Sequence, residues 1–131
     1  GPKEGTLNGR IVGDGDGLCD YKIPIINELE LKESRVIKIS GGGSIGLALE
    51  KMIAETENAD FLAEIALGVN EKVPRDEMPE IKKRLGTIHV AIGNGLMHGQ
   101  RIWSPVHIDF ALLHPSVWID DACLLKDGVK Q

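Results

Sequence analysis

Apolar residues in this chain come in short runs closed off by glycine, proline or charged turns, and runs of that length build strands rather than long helices. Residues 9–12, 19–23, 28–31, 35–39, 61–67, 87–92, 106–112, 117–119 and 122–125 read as strands in that order. Gly13-Asp14-Gly15-Asp16-Gly17 and Pro24 separate the first three into a meander; Asp14 and Asp16 lack the spacing and closing glutamate of a calcium loop, so a tight turn is expected there. Two stretches depart from the pattern. After Gly41-Gly42-Gly43, Ser44 is placed to cap a helix in which Ile45, Leu47, Leu49, Met52 and Ile53 recur at helical spacing, up to about Ala59. Residues 74–85 read as a charged, solvent-facing helix stopped by Gly86. The glycine run carries no phosphate-loop signature. The expected fold is an α/β or α+β domain, a mixed β-sheet with two main helices. At 131 residues, the chain (1–131) is long enough for one core and short for two.

A net charge of −5 with scattered lysines gives no electrostatic footprint for nucleic acid or an anionic membrane. No apolar run approaches the roughly 18 residues of a membrane span, and no signal peptide opens the chain, so a cytoplasmic protein is expected. Cys19 and Cys123 are far apart and outside any Cys-x-x-Cys motif, which points to two buried free thiols. Gly1-Pro2 resembles the scar of a cleaved affinity tag, and the native chain is expected to extend further upstream.

Chemistry concentrates in four polar residues planted in apolar runs: Glu64, His89, His107 and Asp109. Alternate side chains of a strand share a face, so His107 and Asp109 can aim an imidazole and a carboxylate at one point. Glu64 and His89 can complete a metal-ligand set, because a carboxylate in apolar sequence demands compensation. His98 and His114 lie among glycine, proline and polar residues and read as solvated loop histidines. The connector of residues 93–105 joins two ligand-bearing strands, which makes Asn94 and Trp103 candidate ligand-binding residues.

Four segments, taken in order, resemble a known family: Glu4-Gly5-Thr6-Leu7-Asn8-Gly9, Ala63-Glu64-Ile65-Ala66-Leu67-Gly68-Val69-Asn70, Leu85-Gly86-Thr87-Ile88-His89-Val90-Ala91-Ile92-Gly93 and His107-Ile108-Asp109. They are similar to the C-terminal metal-binding domain of the aminopeptidase T and S type, a leucyl aminopeptidase (thermophilic metalloprotease) family whose relatives include dihydroxypyridine dioxygenases. The resemblance covers nearly the whole chain. In the aminopeptidases it implies paired zinc or manganese ions, with Glu64 at the metals and catalytic water and His89, His107 and Asp109 as ligands. In the dioxygenase-like relatives it implies iron held by two histidines and a carboxylate, which His89, His107 and Asp109 can supply. The chain departs from the family in three ways. It begins after the family's first ligand glutamate, it has Leu96 where the aminopeptidases carry a catalytic tyrosine, and it lacks their N-terminal domain.

Those departures favour a truncated, non-catalytic peptide-binding protein, one that presents a precursor peptide in ribosomal-peptide natural-product biosynthesis. The alternative is a metal-dependent enzyme domain, aminopeptidase or iron dioxygenase-like, using Glu64, His89, His107 and Asp109. A third reading has the four residues satisfying one another in a buried network. Family members pair through this domain, so a homodimer is implied, with Trp118 or Trp103 as interface aromatics.

Overall fold

Strands joined through two-residue turns can pair only antiparallel, and this chain reverses that way at Glu33-Ser34, Asp120-Asp121 and Asp127-Gly128. The computed structural model describes residues 1–13, 18–19, 26–74 and 80–131. Its strands are β1 (Gly9–Val12), β2 (Leu18–Cys19), β3 (Ile26–Lys32), β4 (Arg35–Gly41), β5 (Leu62–Leu67), β6 (Ile88–Gly93), β7 (His107–Leu112), β8 (Val117–Ile119), β9 (Ala122–Lys126) and β10 (Val129–Lys130), with helix α1 (Gly43–Glu55) between β4 and β5. They form a three-stranded sheet β1-β3-β4, a four-stranded sheet β2-β7-β6-β5 and a small sheet β10-β9-β8. Every named strand pair is antiparallel.

The mixed sheet with two main helices is therefore overturned: the described residues form antiparallel sheets with one α-helix. Where a second helix was expected over residues 74–85, the described part is a 3-10 turn, Glu80–Lys83, and residues 75–79 lie outside the description. The physical reason is Pro79, which has no N–H to donate and whose ring would strike the carbonyl four residues back in a continuous helix. The start of α1 also differs. Its N-cap is Gly42, at φ 79°, with no side-chain cap, and Ser44 sits inside the first turn. Gly41, Gly42 and Gly43 all have positive φ, so the glycine run itself turns the chain into the helix. The Asp14-to-Gly17 turn and most of the strand expected over residues 19–23 lie outside the described residues.

One core serves both larger sheets. Leu29, Leu31, Val36 and Ile39 from β3 and β4 pack with Leu62, Val90, Ile92 and Phe110 from β5 to β7, and Leu49 of α1 joins them. Burying side chains of this kind contributes about 1.5–3 kcal/mol each. The sheets are tied at Arg35, whose guanidinium meets Asp60 at 2.6 Å and Asn58 at 3.1 Å. Cys123 is a free, half-buried thiol whose Sγ lies 3.3 Å from the Leu125 carbonyl oxygen. Among the described residues no helix is long and apolar enough to cross a membrane.

Candidate metal centre

Strand alternation gives the four-stranded sheet two unlike faces. On β6 and β7, Val90, Ile92 and Phe110 turn to the core, so His89 and Ala91, and Asp109 and Ala111, turn to the other side. Register completes the arrangement: His107 stands opposite Gly93, Asp109 opposite Ala91, and Ala91 opposite Glu64 of β5. A bulge brings Glu64 there. Leu62 pairs with Ile92 but Glu64 pairs with Ala91, so Ala63 is the extra residue, and a regular ladder would set Glu64 against Val90 on the core face. Between the long polar side chains the face carries the small residues Ala66, Ala91, Gly93 and Ala111. Gly93 is required as glycine: its φ is 102°, and a Cβ would come 2.1 Å from the Val106 carbonyl oxygen.

Glu64 is the hub. Its Oε1 lies 3.2 Å from His89 Nε2, and its Oε2 lies 3.3 Å from His98 Nε2 and 3.5 Å from His107 Nε2. His107 Nε2 is also 3.8 Å from Asp109 Oδ1. Two clusters share the glutamate, Glu64 with His89 and Asp109, and Glu64 with His98 and His107. The first is the deeper. The Asp109 and His89 side chains are 9% and 10% exposed, against 31% for His107 and 29% for His98. His98 stacks on His107 with ring centroids 5.3 Å apart.

The imidazoles are oriented from behind. His89 Nδ1 lies 3.2 Å from the Lys82 carbonyl oxygen and His107 Nδ1 lies 2.9 Å from that of Asn94. A carbonyl only accepts, so each Nδ1 carries a proton and Nε2 is the ring atom turned to the cluster, a lone pair whenever the ring is neutral. A lone pair beside a carboxylate oxygen is unfavourable unless a proton or a cation lies between them. Lys82 adds an ammonium, with Nζ 2.5 Å from Asp109 Oδ2.

These donors fit a first-row divalent ion. Bonds of about 2.0–2.2 Å place neighbouring ligand atoms about 3.0–3.5 Å apart, the spacing seen around Glu64. The fold thus brings together all four residues singled out in the sequence. It does not set His89, His107 and Asp109 apart as one triad, because they fall across the two clusters. Asn94 takes part through its backbone carbonyl, while its side-chain oxygen accepts from Leu96 N at 3.0 Å. Trp103 is half-exposed in the connector, and its carbonyl accepts from Asn58.

Two site residues were missed. His98 reaches Glu64 from the 3-10 turn Leu96–His98, inside the connector that had already drawn attention to Asn94 and Trp103. The sequence signal for it was therefore present. Lys82 had none, since in a charged stretch it looks like any solvated lysine.

No protein-family profile matches the chain, and no curated protein sequence matches it. In fold, the chain is similar to the solved structure of 2,5-dihydroxypyridine dioxygenase from Pseudomonas putida KT2440, with a TM-score of 0.80 at 18% sequence identity. The similarity covers 99% of this chain, which spans 42% of the dioxygenase chain. At that identity the likeness speaks for the fold.

Proposed function

We propose that this chain is the metal-holding domain of a dioxygenase-like metalloenzyme, with Glu64, His89, His107 and Asp109 as the ligand set and ferrous iron as the ion. The observation that carries this reading is the convergence of His89 Nε2 and His107 Nε2 on Glu64, at 3.2 and 3.5 Å, with each Nδ1 turned to a backbone carbonyl. Two imidazoles with carboxylate oxygens are a donor set suited to non-haem iron, and the similarity in fold to a dioxygenase supports the same choice. An ion held there supplies a redox-active Lewis acid. The chain's own residues do the rest. The Lys82 and Asn94 carbonyls orient the two rings, and the small residues Ala66, Ala91, Gly93 and Ala111 keep bulky side chains from standing among the ligands. A hydroxylated aromatic ring, of the class the dioxygenase is named for, is the substrate to test first. A protein that only presented peptides would have no chemical need for this cluster, so the metal reading displaces the peptide-binding one.

A second reading rests on the two clusters sharing Glu64, which suit paired zinc or manganese ions and aminopeptidase-like hydrolysis. Leu96 weighs against it, because its side chain has no proton to give where the aminopeptidases carry their tyrosine.

The test is metal analysis of protein purified without chelator, then titration of the stripped protein with ferrous iron, manganese and zinc. About one equivalent of tightly held iron is expected for a mononuclear site. About two equivalents of zinc or manganese would favour the paired-metal reading. A folded protein that takes up no metal at micromolar concentration would sink both.

A further inference from the structure

Lys82 touches the metal centre twice, from one turn. The turn Glu80–Lys83 is anchored independently of any ligand: Ile81 is buried, and Thr87 Oγ1 lies 3.0 Å from the Lys82 carbonyl oxygen and 2.8 Å from that of Arg84. Asn70 N donates to the Lys83 carbonyl at 2.9 Å, which ties the same turn to the segment after β5. From this fixed position the Lys82 carbonyl faces His89 Nδ1, while the Lys82 side chain, 18% exposed, carries its ammonium to Asp109 Oδ2. Asp109 Oδ1 is left facing His107 Nε2 at 3.8 Å.

We propose that Lys82 is the positioning residue of this centre, holding Asp109 to ligation through Oδ1 alone by occupying Oδ2, and setting the His89 ring through its own carbonyl. The proposal rests on the metal reading above. A carboxylate can bind a metal through one oxygen or both, and an ammonium held on Oδ2 removes the second option. Ligation by a single oxygen keeps the coordination number low and leaves a position open for substrate. Lys82 therefore acts on the metal through Asp109 and His89 without binding it, and its two contacts reach a deep carboxylate and a deep imidazole of the same cluster.

The experiment compares the full chain with Lys82→Met and Lys82→Arg, using cobalt(II) as the probe, and determines the crystal structure of the cobalt-loaded wild type. Lys82→Met keeps the backbone carbonyl and loses the ammonium. It is expected to bind cobalt about 10–100-fold more weakly, the usual cost of losing a partner behind a ligand, and to show weaker cobalt absorption bands as Asp109 contributes its second oxygen. Lys82→Arg is expected to recover most of the affinity and the wild-type spectrum. In the wild-type crystal structure Asp109 is expected to coordinate through Oδ1, with Oδ2 still on Lys82 Nζ. Ligation through both oxygens with Lys82 turned away overturns the proposal, as does a folded Lys82→Met with wild-type affinity and spectrum. If Lys82→Met does not fold, the wild-type crystal structure decides. Failure of the wild type to bind cobalt, zinc or iron sinks the metal reading itself and takes this proposal with it, an outcome distinct from the other two.

Discussion

Three imidazoles reach Glu64, but they are not held alike. His89 and His107 each have a backbone carbonyl behind Nδ1 and grow from strands, whereas His98 comes from a short turn and leans on the His107 ring. Rigid elements hold a ligand more accurately than a turn does. His98→Ala is therefore expected to retain about one equivalent of iron, with affinity lowered no more than about tenfold, the low end for a supporting partner. His89→Ala should abolish tight binding. Metal titration of the two variants checks this, and the loss of one of two bound ions in His98→Ala would instead support the paired-metal reading.

At the scale of elements, the site depends on what the ligand face leaves out as well as on what it carries. Ala91 is fully buried and stands opposite both Glu64 and Asp109. Ala91→Leu would force a larger side chain between Glu64 and Asp109 while keeping every ligand. The expected outcome is a folded protein destabilised by about 1–3 kcal/mol through overpacking, with metal binding lost, read by thermal melting and metal titration. Strands were legible because their apolar residues come in short runs closed by turn residues, which set out β8 as residues 117–119, as found. The two-residue repeat of side chains along a strand then placed His107 and Asp109 on one face. Such patterns failed where a single residue outweighs them. Pro79 is incompatible with the middle of one continuous helix over residues 74–85, and the glycines before α1 bend the chain without a side-chain cap. The short strand β10 follows Asp127-Gly128, a hairpin dipeptide that was there to be read. Lys82 was illegible for a different reason. Its partner Asp109 is distant in sequence, and only the tertiary fold brings the two together.

For the molecule as a whole, one face of the four-stranded sheet supplies stability and the other supplies chemistry, so metal binding and folding should be linked. Any ion that binds only the folded state adds about 2.7 kcal/mol at a hundred times its dissociation constant. For a domain of this size that corresponds to a rise in melting temperature of roughly 10 °C. Calorimetry with and without saturating ferrous iron under anaerobic conditions is expected to show it, and chelation to reverse it; an unchanged melting temperature would argue against a site formed only in the folded protein. The bulge at Ala63 is where these two interests meet. With Ala63 kept and paired regularly, Glu64 would fall against Val90 as an unpartnered carboxylate on the core face, so the strand holds its acid among the ligands by looping one residue out. Deleting Ala63 would join Leu62 directly to Glu64 and leave the acid opposite Ala91, in a ladder with no bulge. The shorter strand therefore keeps the acid's place and loses only the local bend, which separates what the metal needs from the residue that shapes the strand.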